Sequence, residues 1–176
     1  MKVNAVLLTI IVIGLTACGG DQPAEDAADE TVPAVTATPS LPDTTEAALW
    51  AYLQQSDYQQ NWRLWPGKEH LYKGTEPHGM LLTTYVNELA HDALTNGAAS
   101  LPAGAIVVKE NYMPDSILAA VTTMYKSQGF NAQHQDWFFA KHDPQGKAEV
   151  AGRAEMCQAC HQKAPAGNYL YTARPQ

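Results

Sequence analysis

The sequence predicts an α+β domain dominated by an antiparallel β-sheet, with an N-terminal helix and a short C-terminal helix. Three observations lead to this fold class. Apolar residues follow helical spacing around residues 49–53, runs rich in β-forming residues fill much of the segment 79–151, and turn residues separate several of these runs. Short turns join neighbouring strands in antiparallel order, so a meandering sheet is expected.

The elements can be assigned in chain order. A first helix is expected to start at Asp43, which with Glu46 resembles a capping box, and to end near Ser56. A second helix is predicted at residues 88–96. The predicted strands are residues 79–87, 105–112, 119–126, 137–142 and 147–151, with a turn at 143–146 before the last of them. A short helix then carries residues 157–161.

The segment C-Q-A-C-H at residues 157–161 has the spacing of covalent c-type haem attachment. Residues three apart share one side of a helical turn, so Cys157 and Cys160 can bond both vinyl groups of one porphyrin while His161 ligates the iron. The motif therefore predicts one covalently attached haem c, bound by Cys157, Cys160 and His161.

Two other sites use similar residues, and both fit the motif less well. Structural zinc takes about four ligands, usually from two separated pairs, and the sequence contains no second C-x-x-C or H-x-x-x-H pair. A redox dithiol of the thioredoxin kind belongs at the start of a helix within a βαβ unit, whereas this motif lies near the end of the chain.

The N-terminus has the pattern of a bacterial lipoprotein signal, with Lys2 before an apolar run too short to span a membrane. Residues 1–17 are predicted to be the signal peptide. The run ends in L-T-A-C, which resembles a lipobox, so Cys18 is expected to be lipidated. An ordinary signal peptide followed by an unrelated cysteine is the alternative. Gly19, and not Asp, follows Cys18, which resembles Gram-negative lipoproteins that are sorted to the outer membrane. This predicts a location on the periplasmic side, with membrane contact through the lipid anchor alone.

Residues 18–44 are predicted to form a disordered, lipid-anchored linker, because they contain no aromatic residue and no Lys or Arg. A loop packed on the domain is the alternative. Residues 45–176 suit one domain. Lipid and haem account for all three cysteines, which leaves none for a disulfide. The net charge of -7 becomes -8 when Lys2 is removed with the signal, and so acidic a chain is not expected to bind nucleic acid.

Several segments together resemble the cytochrome P-460 family. They are W-R-L-W-P-G at 62–67, E-P-H-G at 76–79, T-Y-V-N at 84–87, I-V-V-K-E-N-Y at 106–112, D-W-F-F at 136–139 and the motif at 157–161. The resemblance implies a mainly antiparallel sheet with a C-terminal haem-binding helix, and a homodimer. Members of this family oxidise hydroxylamine, whereas their cytochrome c′-β relatives bind gases such as nitric oxide.

The function expected from motif and resemblance is that of a periplasmic mono-haem c-type cytochrome. It would bind a small nitrogen or oxygen species at an open distal site, with hydroxylamine oxidation as its candidate oxidoreductase reaction. The alternative is a non-catalytic protein that binds nitric oxide or transfers electrons. The sequence does not identify the redox partner protein.

The resemblance implies a role for Lys109, and the residues themselves suggest further candidates. Lys109 falls where the family carries a lysine cross-linked to a haem meso carbon, although by pattern alone it is a solvated strand residue. Glu110 and Asp136 are candidates for a catalytic carboxylate that accepts substrate protons, the alternative being surface or turn carboxylates. His78, between Pro77 and Gly79, is the candidate distal residue near the iron, unless it is simply hydrogen-bonded within the fold.

The remaining methionines and histidines are weaker candidates. Further possible iron ligands, each expected to pack in the core or a loop instead, are Met80, Met113 and Met124. Histidines that lie beside polar residues, and are therefore expected to be exposed, are His70, His91, His134 and His142.

Overall fold

An antiparallel sheet organises the computed structural model, which describes residues 40–165 and 167–172. Over these residues the sheet has seven strands in the order β1-β3-β4-β5-β6-β7, and β2 also pairs with β3. The elements are α1 (Glu46–Gln55), α2 (Tyr58–Asn61), β1 (Arg63–Leu64), β2 (Tyr72–Lys73), β3 (Leu81–Val86), α3 (Glu88–Thr95), β4 (Ile106–Tyr112), β5 (Leu118–Lys126), a 3₁₀ turn (Ala132–His134), β6 (Trp137–His142), β7 (Ala148–Gly152) and α4 (Glu155–His161).

This architecture confirms the predicted fold class. Each of the five predicted strands is present within two residues of its expected ends, and the last helix contains the C-x-x-C-H motif. The first helix differs at its start, because Thr45 and not Asp43 is the N-cap. The Thr45 hydroxyl accepts a hydrogen bond from the amide of Ala48 at 3.2 Å.

The two faces of the sheet carry separate apolar cores. Neighbouring residues of one strand fall into different cores, as Val107 and Val108 or Phe138 and Phe139 do, since successive side chains point to opposite faces. One face is covered by α1 through Leu49 and Leu53. The other face packs against α3 and against Cys157 of α4, and it carries the candidate site.

The boundary of the domain lies slightly before the predicted residue 45. The Tyr125 hydroxyl donates a hydrogen bond to the carbonyl of Pro42 at 3.1 Å, so the end of the predicted linker is attached to the domain. The predicted signal peptide, Cys18 and linker residues up to 39 lie outside the described residues. No helix in the described part of the chain is long and apolar enough to cross a membrane.

Candidate haem site

A cavity of about 530 Å³ lies between α4, the segment 76–80 and one face of the sheet. A second cavity of about 550 Å³ adjoins it and shares the side chains of His78, Lys109 and His161. The floor of the first cavity is formed by alternate residues of the central strands, because those residues share one sheet face. They include Val107, Lys109, Asn111, Thr122, Met124, Phe139 and Lys141.

The C-x-x-C-H motif occupies the last turns of α4 and borders the first cavity. Cys157 is half-buried and packs against the core on this face, whereas Cys160 is exposed. Both cysteines and His161 line the same cavity. The helix therefore presents two thiols and one imidazole to a common space, which is the arrangement predicted from their spacing.

The imidazole of His161 has a fixed orientation. Its Nδ1 lies 2.7 Å from the carbonyl oxygen of Tyr169. A carbonyl can only accept, so Nδ1 carries the proton and Nε2 keeps a free lone pair. Burial lowers the pKa of His161, and this effect is larger than that of the hydrogen bond to Tyr169, which raises the pKa. The ring therefore stays neutral at neutral pH. A neutral, oriented imidazole of this kind is what a metal requires.

Lys109 is partly buried and lines both cavities. It sits at the centre of a polar row across the sheet, paired with Thr84 on β3 and Thr122 on β5, with Lys141 next on β6. Burial, and to a smaller degree the charge of Lys68, lower the pKa of Lys109 to about 8. The amine therefore loses its proton more readily than a surface lysine and becomes a better nucleophile.

His78 is held against β4 by Asn111. Its Nδ1 lies 3.0 Å from Asn111 Oδ1, and the same oxygen accepts from the amide of Gly79 at 3.2 Å. The close approach requires glycine, because a Cβ at Gly79 would lie 2.6 Å from the amide nitrogen of Tyr112. The ring centres of His78 and His161 are 6.3 Å apart. The structure thus brings His78, Lys109 and His161 together.

The two candidate carboxylates do not reach this cavity. Glu110 follows Lys109 on the strand and therefore points to the opposite face, where it is fully buried. It accepts hydrogen bonds from Tyr58 at 2.9 Å and Tyr112 at 2.7 Å, and also from Gln59. Asp136 accepts from the amide of Asn131 at 2.8 Å within a turn. We therefore retain no proton-accepting role at the cavity for either carboxylate.

Some residues of the site were missed by the sequence reasoning. Glu76 is the carboxylate that the described lining contains, and it borders both cavities. Glu76 belongs to the segment E-P-H-G that carries part of the family resemblance, so the sequence could have indicated it as a site residue. Asn111 stands two residues after Lys109, so strand alternation alone places it on the same face. Tyr169, which orients His161, carries no recognisable signal. Met80, Met113 and Met124 also line the first cavity, with Met124 buried.

The residues around the first cavity fit a haem. His161 offers a free Nε2, the two thiols lie on the same helix, and Val107, Phe139 and Leu170 give part of the wall an apolar surface. The structure does not support a structural zinc site. Within residues 40–165 and 167–172, no three His, Cys, Asp or Glu side chains are grouped to hold a metal ion.

Comparison with known proteins agrees with this site. No curated protein matches the chain. A family model described as Cytochrome P460 matches residues 55–172, which is more than half of the chain and includes the cavity residues from Lys68 to Thr172. The antiparallel sheet with an N-terminal helix and a C-terminal helix is in keeping with that family. The chain therefore belongs to the cytochrome P460 family and is a haem protein.

Proposed function

We propose that the chain binds one haem covalently through Cys157 and Cys160, with His161 as iron ligand, and that a small nitrogen or oxygen species binds on the other side of the macrocycle. The observation that carries this proposal is the grouping of His161, Lys109 and His78 around one cavity. Bound haem supplies the electron transfer that protein side chains lack. The candidate reaction is hydroxylamine oxidation.

The side chains of the cavity suit a small substrate that loses protons. Hydroxylamine oxidation releases electrons to an external acceptor and protons to nearby bases. Glu76 is the carboxylate of the described lining that can accept protons. Lys109, while protonated, adds positive charge to the same space, whereas the charge of Lys141 is paired with Glu149 at 2.6 Å.

Non-catalytic gas binding is the second candidate function, and the exposure of Glu76 favours it. An exposed carboxylate is screened by water and is less able than a buried one to take up a substrate proton at a defined position. A haem protein with no well-placed base binds nitric oxide without turning over hydroxylamine. The electrostatics of the cavity are compatible with this reading, because nitric oxide is neutral.

Steady-state turnover separates these two functions. The purified holoprotein is mixed with hydroxylamine and an oxidised acceptor dye, and reduction of the dye is followed by absorbance. We expect reduction that depends on the holoprotein, and a lower kcat for Glu76→Gln, since the amide cannot accept the proton. Glu69→Gln, at an exposed position outside the cavities, is the matched control. Dye reduction no faster than without protein, with nitric oxide still bound, would leave gas binding as the function.

We further propose that Lys109 is joined to the haem. A bond between Nζ and a meso carbon replaces one N–H and one C–H bond, and the two hydrogens leave as two protons and two electrons, the latter taken by an oxidant such as peroxide. A cross-linked Lys109 also resists trypsin. The digest of the holoprotein should therefore contain residues 74–126 and 154–163 linked through one haem.

Mass spectrometry of the tryptic digest measures this directly. Lys109→Arg is the decisive variant, because it keeps the charge but cannot form the same bond, and Lys141→Arg is the matched control on the same polar row. We expect the linked species in the wild type and in Lys141→Arg, but not in Lys109→Arg. Free peptides 74–109 and 110–126 from the wild-type holoprotein would overturn the cross-link.

A further inference from the structure

The distance between the two cavity histidines matches that of two imidazoles bound to one metal ion. A metal–imidazole nitrogen bond is about 2 Å long and the nitrogen lies about 1 Å from the ring centre, so two rings on opposite sides of one ion have centres about 6 Å apart. The centres of His78 and His161 are 6.3 Å apart, with the rings inclined at 81°. A ligand held between iron and an unbound His78 would require a clearly larger separation.

The hydrogen bonds of Asn111 determine which nitrogen of His78 is free. Asn111 Nδ2 is directed at three acceptors, the carbonyls of Lys109 at 2.8 Å and Ala120 at 3.2 Å and the hydroxyl of Thr122 at 3.1 Å. These contacts fix the amide so that Oδ1 faces His78. Since Oδ1 accepts, His78 Nδ1 carries the proton and Nε2 keeps the lone pair.

His78 and His161 therefore have the same internal arrangement. In each ring Nδ1 donates to a fixed oxygen, the side chain of Asn111 for one and the backbone of Tyr169 for the other. Histidines that ligate metals almost always donate their other ring N–H in this way, because the bond orients the ring and increases its basicity. No such requirement applies to a histidine that only fills space.

We propose that His78 Nε2 is the second axial ligand of the haem iron in the resting protein, opposite His161, so that a small molecule binds only by displacing His78. This inference rests on the proposed haem attachment and deepens the proposed function. It replaces the open distal site expected from the sequence with a closed site. Binding is then controlled by release of the His78 ring, which Asn111 and the glycine-dependent approach of Gly79 to β4 hold in place.

Absorption and electron paramagnetic resonance spectra of the holoprotein test the coordination. We expect the wild-type ferric protein to be low-spin with no added ligand, with the signature of two imidazoles. His78→Ala should be high-spin, and added imidazole should restore the low-spin spectrum. His70→Ala, at an exposed histidine that lines neither cavity, is the matched control and should match the wild type.

Ligand-binding kinetics give an independent readout. If His78 must leave first, carbon monoxide should bind the ferrous wild type at a rate that saturates with its concentration, and His78→Ala should bind at least about tenfold faster because its competent state is always populated. His70→Ala should again behave like the wild type.

Two results would overturn the inference. One is a high-spin ferric wild type at neutral pH, and the other is a low-spin spectrum that persists in His78→Ala, which would assign the position to Lys109 or a methionine. If His78→Ala does not fold, the wild-type spectrum alone still decides between high spin and low spin. The proposed function fails separately, through a holoprotein that binds neither hydroxylamine nor nitric oxide, whatever its resting spin state.

Discussion

Replacing His161 with alanine should abolish the normal haem spectrum while leaving the haem attached to the chain. The imidazole supplies an iron ligand through Nε2, whereas attachment depends on the thiols of Cys157 and Cys160, so the two properties are separable. We expect haem-stained protein on a denaturing gel together with a shifted Soret band. Added imidazole should largely restore the band, because the space left by the side chain opens into the cavity.

The double variant Cys157→Ala, Cys160→Ala provides the opposite test. Combined with Lys109→Arg, which removes the proposed cross-link, it should lose haem under denaturing conditions while keeping the ligand His161. His134→Ala is a suitable control for general damage, because His134 bonds the hydroxyl of Tyr169, whereas His161 bonds its backbone carbonyl. An unchanged Soret band in His161→Ala would show that another residue holds the iron. Haem that stays on the double variant after denaturation, when Lys109→Arg is also present, would contradict thioether attachment.

The longer strands could be predicted because their signal is local. β4, β5 and β6 each contain runs of β-branched or aromatic residues and are followed by turn residues. β1 and β2 contain two residues each and exist through their pairing with β3, so no local pattern announces them. The same holds for the four residues of α2, which begin after Asp57 in a left-handed conformation.

The haem motif could be predicted for the same reason, since its geometry is contained in five consecutive residues. The position of His78 beside His161 could not be, because it depends on how the segment after β2 returns to the sheet. The assignment of Glu110 to the same site as Lys109 could have been excluded from the sequence. Lys109 and Glu110 are adjacent in one strand, so alternation already places them on opposite faces, and no pattern allows both to reach one cavity.

His142 shows how polar neighbours mislead. It was expected to be exposed, but it is fully buried and lies against the ring of Trp50, with centres 4.7 Å apart. Its sequence neighbours Lys141 and Asp143 are polar, yet α1 covers this end of β6 on the face that His142 shares with Ala140. Burial is decided there by the helix above the strand, which the local sequence does not encode.

Glu110 should prove essential for stability and dispensable at the haem. The side chain is fully buried and accepts hydrogen bonds from Tyr58, Gln59 and Tyr112. Glu110→Ala removes the common acceptor and leaves these donors unsatisfied, so we expect the free energy of unfolding to fall by about 3 to 5 kcal/mol. Urea denaturation of the holoprotein, followed by circular dichroism, measures the loss.

The variant Glu110→Gln separates the shape of the side chain from its charge. The amide keeps one acceptor oxygen, and the hydroxyls of Tyr58 and Tyr112 can rotate to accept from its NH₂ group, so we expect a smaller loss of about 1 to 2 kcal/mol. Glu69→Ala, which truncates an exposed carboxylate, should change stability by less than about 0.5 kcal/mol. Because Glu110 faces away from Lys109 and the cavity, the Glu110→Gln holoprotein should keep the wild-type Soret band and its affinity for nitric oxide. A stability loss in Glu110→Ala no larger than in Glu69→Ala would refute the structural role, and a changed Soret band in a fully folded Glu110→Gln would return Glu110 to the haem site.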